Sequence, residues 1–208
     1  MNMTTMIQRT VSAETGAFEL ANELWEALHL HDHGTGDHSR RVATLARQLG
    51  QWMGLEQSRV RNLELACLLH DVGKLFVSSE TLTKPGLLND GEWEEMKTHP
   101  ELGSEMLRDY QDLDTTVDFD LIVEIVHSHH ERFDGTGYPR RLAAEQLTIE
   151  SRICTVVDAY DAMTSDRPYG VRLNHEEAVA EIYRCAGTQF DPEVVQAFGT
   201  MPTNSILS

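Results

Sequence analysis

Cysteine, basic side chains, long apolar runs and alternating strand patterns are all scarce in this chain of 208 residues. The three cysteines, Cys67, Cys154 and Cys185, are odd in number, show no CxxC spacing and sit in apolar segments. They read as buried reduced thiols, which excludes a disulfide framework and a zinc-thiolate site. Lys and Arg number 17 against 34 Asp and Glu, a formal charge of -17. Such a field repels the phosphates of a duplex, so DNA is excluded as a partner, whereas a small anion held by local cations is not. No apolar stretch reaches transmembrane length, and the start of the chain lacks the basic and apolar regions of a secretory signal. A cytoplasmic protein without a membrane span is expected. Low-complexity tracts, internal repeats and linkers are absent, so one domain is expected at this length.

What is present is helical spacing and histidine. Leu20, Leu24 and Leu28 recur at four-residue intervals, and Val42, Leu45, Leu49 and Trp52 continue the pattern, predicting two amphipathic helices. A third is predicted over 57–69, after a stop at Gly54, with Leu63, Ala66 and His70 on one face. The stretch 72–88, which holds Gly73, Pro85 and Gly86, reads as a long loop, and Asn89 starts a short helix toward Met96. Pro100 suits the first turn of the next helix and biases His99, at its entrance, away from the helical region. Further helices are predicted over 121–126, 149–163, 174–185 and 191–198. Residues 1–30 read as an N-terminal helical extension packed on the core or on a second subunit, 31–202 as the domain and 203–208 as a tail.

His70 and Asp71 end an otherwise apolar run of Leu63, Leu65, Ala66, Leu68 and Leu69. Burying both at the end of a core helix is expensive unless a cation takes up the imidazole lone pair and the carboxylate. Further residues of metal-binding type stand at His38, His99, His129, His130 and Asp158. Ile125 and Val126 precede His129 and His130 by four residues, so both rings project beside the buried stripe. Imidazoles and carboxylates without thiolates suit iron, manganese or similar ions. This many ligands exceeds the need of one catalytic ion with open positions, and a carboxylate such as Asp71 bridges two ions, an arrangement suited to phosphodiester hydrolysis. Other polar residues take plainer readings. Asp37 is a helix-start charge, His29, His31 and His33 are solvated in a surface connection, His175 begins a surface helix, and Asp134 with Thr136 steadies a loop. His127 is read as supporting a ligand through a hydrogen bond. Asp161 either orients a ligand or Lys74, or is a capped surface carboxylate.

Six ordered blocks carry a family resemblance. Asp32-x-x-Thr35-Gly36-x-His38-Ser39-x-Arg41-Val42, Leu68-Leu69-His70-Asp71-Val72-Gly73-Lys74 and Lys97-Thr98-His99-Pro100-Glu101 come first. The block 129–139, which contains Gly137-Tyr138-Pro139, then 157–169 and 187–192 follow. Over about residues 30–200 the chain resembles the HD-GYP subgroup of the HD phosphohydrolase superfamily. The resemblance implies an all-α fold, a compact HD-domain helical bundle with a metal centre in the core. It implies a metal-dependent phosphodiesterase that hydrolyses cyclic di-GMP to pGpG, GMP or both in bacterial signalling. By position, His38, His70, Asp71 and Asp158 would hold one ion, and Asp71, as a bridge, would hold the other with His99, His129 and His130. Lys74 would contact the scissile phosphate, Arg167 would hold the nucleotide, and Tyr138 would shape the pocket rim or a protein-contact loop. The implied cofactors are two divalent ions, iron or manganese. The implied partners are cyclic di-GMP and a GGDEF-type diguanylate cyclase meeting the Gly137-Tyr138-Pro139 loop; a homodimer is the alternative that the N-terminal helix leaves open.

Two positions depart from the subgroup. Some members place a glutamate four residues before the first histidine to serve a third ion; Gly34 stands there, so two ions are expected. Gly170 replaces a basic residue that follows the Arg-Pro-Tyr run, and Arg172 lies two residues further on. These departures keep two other readings open: an adaptor that binds nucleotide or a diguanylate cyclase without useful turnover, and an enzyme for another cyclic dinucleotide or nucleotide.

Overall fold

The computed structural model describes residues 16–111, 116–165 and 172–202; Arg167, Gly170 and the tail 203–208 lie outside the described residues. Asp32 ends the first helix and starts the second. Between α1 (Ala17–His31) and α2 (His33–Trp52), its carboxylate accepts the Gly34 N–H at 3.1 Å and the Thr35 hydroxyl at 2.6 Å. This satisfies a donor that the helix start leaves open. Leu20, Leu24 and Leu28 are at most 1% exposed and face α2 and α3 (Gln57–Leu69). Each such leucine contributes about 1.5–3 kcal/mol, so α1 belongs to this chain's own core. His29 and His31 lie in the last turns of α1 and His33 opens α2, not in a surface connection as expected. The His29 ring stacks on Trp25 with centroids 5.0 Å apart, and its Nε2 lies 3.2 Å from His33 Nδ1.

Val42, Leu45 and Leu49 are buried as their spacing predicts, but Trp52 is 50% exposed. The helix ends at Trp52, and the Leu55 N–H turns back to the Gly50 carbonyl at 3.0 Å, so the apolar period overran the helix by one step. The stretch 72–88 also differs from the expected loop. It begins with a 3-10 turn (Val72–Phe76) and contains the single-turn α4 (Ser79–Leu82), capped by the Ser78 hydroxyl. Asn89 starts α5 (Asp90–Met96) with a capping box, and α6 (His99–Arg108) follows with Pro100 in its first turn. His99 is the first residue inside α6 rather than outside the helical region. Gly73 is there for contact: a Cβ would lie 1.9 Å from the His99 carbonyl oxygen and 2.6 Å from the Gly103 nitrogen. The bare backbone presses the 3-10 turn against α6 and so sets Asp71 beside His99.

α7 (Phe119–Ser128) and α8 (Ile149–Thr164) supply the rest of the core through Ile122, Ile125, Val126, Ile153, Val156 and Val157. α2 packs on α1, α3 and α8, while α7 packs on α3, α6 and α8. α9 (His175–Arg184) and α10 (Pro192–Thr200) lie on α8, started by the side chains of Asn174 and Asp191. Among the described residues there is no strand, and no helix is long and apolar enough to cross a membrane. The C-terminal ends of α3 and α7, the N-terminal end of α6 and faces of α2 and α8 converge at one place.

Candidate metal centre

Three histidines reach that place by the same local device. His70 Nδ1 donates to the Cys67 carbonyl, His99 Nδ1 to the Met96 carbonyl and His129 Nδ1 to the Val126 carbonyl, each at 2.7 Å and each three residues back. A carbonyl only accepts, so each Nδ1 carries the hydrogen and each Nε2 presents a lone pair. The His99 and His129 Nε2 atoms lie 3.2 Å apart, and the buried His70 Nε2 has no hydrogen-bond partner. Facing lone pairs and an orphaned buried nitrogen are unfavourable alone and are what a cation would satisfy. The donor set of nitrogen and oxygen without sulfur fits such an ion.

Asp71 stands between two groups of ligand atoms. His99, His129 and His130 form one, His38, His70 and Asp71 the other, and within each group the donor atoms lie within 4.8 Å of one another. Asp71 Oδ1 is 3.3 Å from His99 Nε2 and 4.0 Å from His129 Nε2, while Oδ2 is 3.4 Å from His70 Nε2 and 2.7 Å from Lys74 Nζ. Asp158 joins from α8, its Oδ1 lying 3.0 Å from His38 Nε2 and 3.9 Å from His70 Nε2. All seven residues expected as ligands are therefore together, with Lys74 beside them.

Burial opposes the charge on Asp71, yet Lys74 and His70 hold its carboxyl well below the usual carboxylate range, and His38 does the same for Asp158. Burial pushes the His70 and His129 imidazoles down, and with His99 nearby it brings His130 to about 3. These rings are neutral, the form that ligates. His38 goes the other way, to about 9, because Asp158 and Asp161 both accept from it and outweigh its burial.

Asp161 is a buried support, not a surface carboxylate. It accepts from His38 Nδ1 at 2.7 Å, from Arg41 Nε at 2.7 Å and Nη2 at 2.8 Å, and from the Ser165 hydroxyl at 3.1 Å. Among the described ligands, His38 is thus held by a side chain where three others are held by backbone. Sequence reasoning placed Arg41 in a motif without giving it a role and left Asp161 open. A usable signal was the shared spacing, since Arg41 follows His38 and Asp161 follows Asp158 by three residues, one helical face in each case. His127, expected to support a ligand, is half-buried instead among Arg140, Glu124, Arg108 and Glu101. His175 opens α9 as expected, its Nδ1 lying 2.9 Å from the Tyr160 hydroxyl.

The loop after His130 folds back onto it. Gly137 has no room for a side chain, because a Cβ would lie 2.5 Å from the Arg132 nitrogen and 2.6 Å from the His130 oxygen. Buried Glu131 accepts the N–H groups of Arg140 and Leu142 at 2.6 and 3.2 Å, and Asp134 accepts from Thr136 N–H and hydroxyl as expected of a loop brace. Tyr138 consequently stacks on His130, with centroids 4.8 Å apart at 27°, and Pro139 follows it through a cis peptide. Burial, then Asp71 and Asp158, push its hydroxyl up, so it stays protonated. His38, Asp71, Lys74, His130 and Asp158 open onto a cavity of about 360 Å³.

The family model described as HD domain matches residues 24–194. The chain is 42% identical over 171 residues to the cyclic di-GMP phosphodiesterase PA4108 of Pseudomonas aeruginosa, covering 82% of this chain and 40% of the relative. It is 37% identical to the cyclic di-GMP phosphodiesterase response regulator RpfG of Xanthomonas campestris pv. campestris, covering 86% and 46%. The chain thus spans less than half the length of these relatives. The crystal structure of a cyclic GMP-AMP-specific phosphodiesterase of Vibrio cholerae, V-cGAP3, superposes with a TM-score of 0.67 at 19% identity, covering 91% of this chain and 49% of that one.

Proposed function

The chain belongs to the HD domain family, and from that premise we propose that it is a metal-dependent phosphodiesterase that hydrolyses cyclic di-GMP to pGpG, GMP or both. The observation that carries this reading is Asp71, whose two oxygens face separate groups of histidines while Lys74 holds one of them at 2.7 Å. His38, His70, Asp71 and Asp158 would hold one divalent ion, and Asp71 with His99, His129 and His130 a second, iron or manganese suiting these donors. Bound ions would supply activation of water and neutralisation of the phosphoryl oxygens and leaving alkoxide. Lys74 would place its ammonium against the scissile phosphate, at the cavity wall. The Tyr138 ring would keep His130 in line, and Arg167, outside the described residues, would grip the nucleotide. Residues 31–202 would form the catalytic unit with α1 packed on it. A GGDEF-type diguanylate cyclase meeting the Gly137-Tyr138-Pro139 loop, and a second copy of the chain, are the proposed macromolecular partners.

The test is hydrolysis of cyclic di-GMP and cyclic GMP-AMP by protein loaded anaerobically with Mn or Fe(II), with products separated by chromatography. Asp71→Ala is expected to abolish turnover; turnover unaffected by that substitution refutes the mechanism. Tight binding without product identifies an adaptor instead, and faster turnover of cyclic GMP-AMP reassigns the substrate.

A further inference from the structure

The junction of α1 and α2 holds a second set of ligand-type side chains that the metal centre does not use. His29 Nε2 in the last turns of α1 and His33 Nδ1 at the start of α2 lie 3.2 Å apart, and Asp37 Oδ1 stands 3.5 Å from His29 Nδ1. We propose that His29 and His33 chelate a divalent transition-metal ion of the zinc–copper class, with Asp37 as the carboxylate that orients His29. The position is distinct from the metal centre. His33 and Asp37 each precede Gly34 and His38 by one residue, about 100° around α2 from the face that carries His38.

The His29 ring is fixed from three sides. Trp25 stacks on it with the planes 17° apart, and Trp25 is itself held by a 2.7 Å bond from its Nε1 to the Gly36 carbonyl and by the Arg40 guanidinium, 3.7 Å from its ring centroid. Gly36 backs the ring closely, since a Cβ there would lie 2.5 Å from His29 Cβ and 2.7 Å from His29 Nδ1. His33 closes the third side edge-on, with centroids 4.6 Å apart. His29 Nδ1 is buried without a hydrogen bond, and the Asp37 carboxylate is the acceptor beside it. A hydrogen directed from Nδ1 to Asp37 leaves the Nε2 lone pair facing His33, and a carboxylate so placed makes an imidazole a stronger ligand.

The spacing suits one ion. Two bonds of about 2.0–2.1 Å to nitrogens 3.2 Å apart subtend about 99–106° at the metal, near the tetrahedral angle. His33 and Asp37 are exposed, so water fills the remaining positions and the ion enters from solvent. The net charge of -17 concentrates cations at the surface. Imidazole nitrogens favour zinc, copper and nickel, whereas manganese, at the weak end of the affinity series, is not retained by two of them. A bound ion would tie the last turn of α1 to the first turn of α2 across the break at Asp32.

Equilibrium dialysis of the full chain against micromolar zinc, with zinc per chain measured by elemental analysis, tests the site. The unsubstituted chain is expected to hold one zinc ion more than His33→Ala, a change at an exposed position whose folding circular dichroism verifies. Asp37→Ala is expected to weaken that ion about tenfold or more, and an unchanged affinity overturns the role given to Asp37. The His33-dependent ion is expected to persist in Asp71→Ala, where the metal centre loses its central carboxylate. Equal zinc with and without His33 reduces the pair to a hydrogen bond from His33 Nδ1 to His29 Nε2 and overturns the site. Disappearance of the His33-dependent ion in Asp71→Ala assigns it to the metal centre and overturns the site equally. Neither outcome depends on whether cyclic di-GMP is hydrolysed.

Discussion

Removing the Asp161 carboxylate should loosen one metal position and spare the other. The carboxylate is 9% exposed and accepts from His38, twice from Arg41 and from Ser165. In Asp161→Ala the His38 Nδ1–H and the Arg41 fork lose their acceptor. A buried donor left unpaired costs about 1–3 kcal/mol, which at this chain length lowers Tm by about 2–12 °C. The larger consequence is for metal. Loss of the group that orients a ligating histidine lowers affinity roughly 10–100-fold, about 1.4–2.7 kcal/mol. An ion held by His38, His70 and Asp158, as proposed, should therefore dissociate first, while one held by His99, His129 and His130, whose first two rings are braced by backbone, should stay. Metal-to-chain ratios after desalting, with chelator competition, are expected to fall from two toward one in Asp161→Ala. Asp161→Asn keeps an acceptor and should lie between. Two ions retained at unchanged affinity in the alanine variant refute the reasoning.

Three further outcomes follow from the same contacts. His38 is held protonated to about 9, so ion uptake near pH 7 should displace about one proton, seen as a calorimetric heat that varies with buffer ionisation enthalpy; a buffer-independent heat contradicts it. Without metal, the raised His38 stabilises the fold fully below pH 6.5 and loses that contribution as pH rises through about 9. His130, lowered to about 3, contributes above pH 6.5 and loses that as pH falls toward 3, so melts of metal-free protein should show greatest stability between these limits. Gly73→Ala puts a methyl 1.9 Å from the His99 oxygen and must part the 3-10 turn from α6. A loss of about 3 kcal/mol or more, a Tm lower by about 6–12 °C, and loss of metal are expected; an unshifted melt would mean the turn is not pressed against α6. Leu24→Ala empties a fully buried position of α1 and should cost about 2–5 kcal/mol in denaturant unfolding, whereas a detachable extension would leave the midpoint unchanged.

The ligands were legible because their side-chain types are individually costly to bury, and because His70, His129 and His130 follow apolar helices whose period points them inward. Helix starts at Asn89 and Asn174 were legible from capping chemistry that is local in sequence. The rest depends on contacts between distant segments. Arg41 and Asp161 are separated by 120 residues, so only their shared offset from a ligand hinted at a pair. Gly73 looked like a loop residue because a glycine needed for close approach and a glycine needed for a turn read alike. Trp52 looked like core because periodicity does not mark where a helix ends.

The charge of the site shows how a chain of -17 would hold the proposed anionic substrate. Asp161 is matched by Arg41 and Glu181 by Arg184, leaving Asp71 and Asp158 against Lys74 and a protonated His38. That set is neutral, so the metal-free cavity offers a phosphodiester little attraction within an acidic surface. The two divalent ions proposed above would add four positive charges and displace the His38 proton, leaving about three net positive charges at one end of the cavity. Screening confines such a charge to about 8–10 Å. A small phosphodiester that entered the cavity would feel such ions before the acidic exterior, whereas a duplex would meet the exterior first. Asp71 and Asp158, two of the acidic residues, would thus gather the cations, and metal loading would turn the site from neutral ground into an anion receptor.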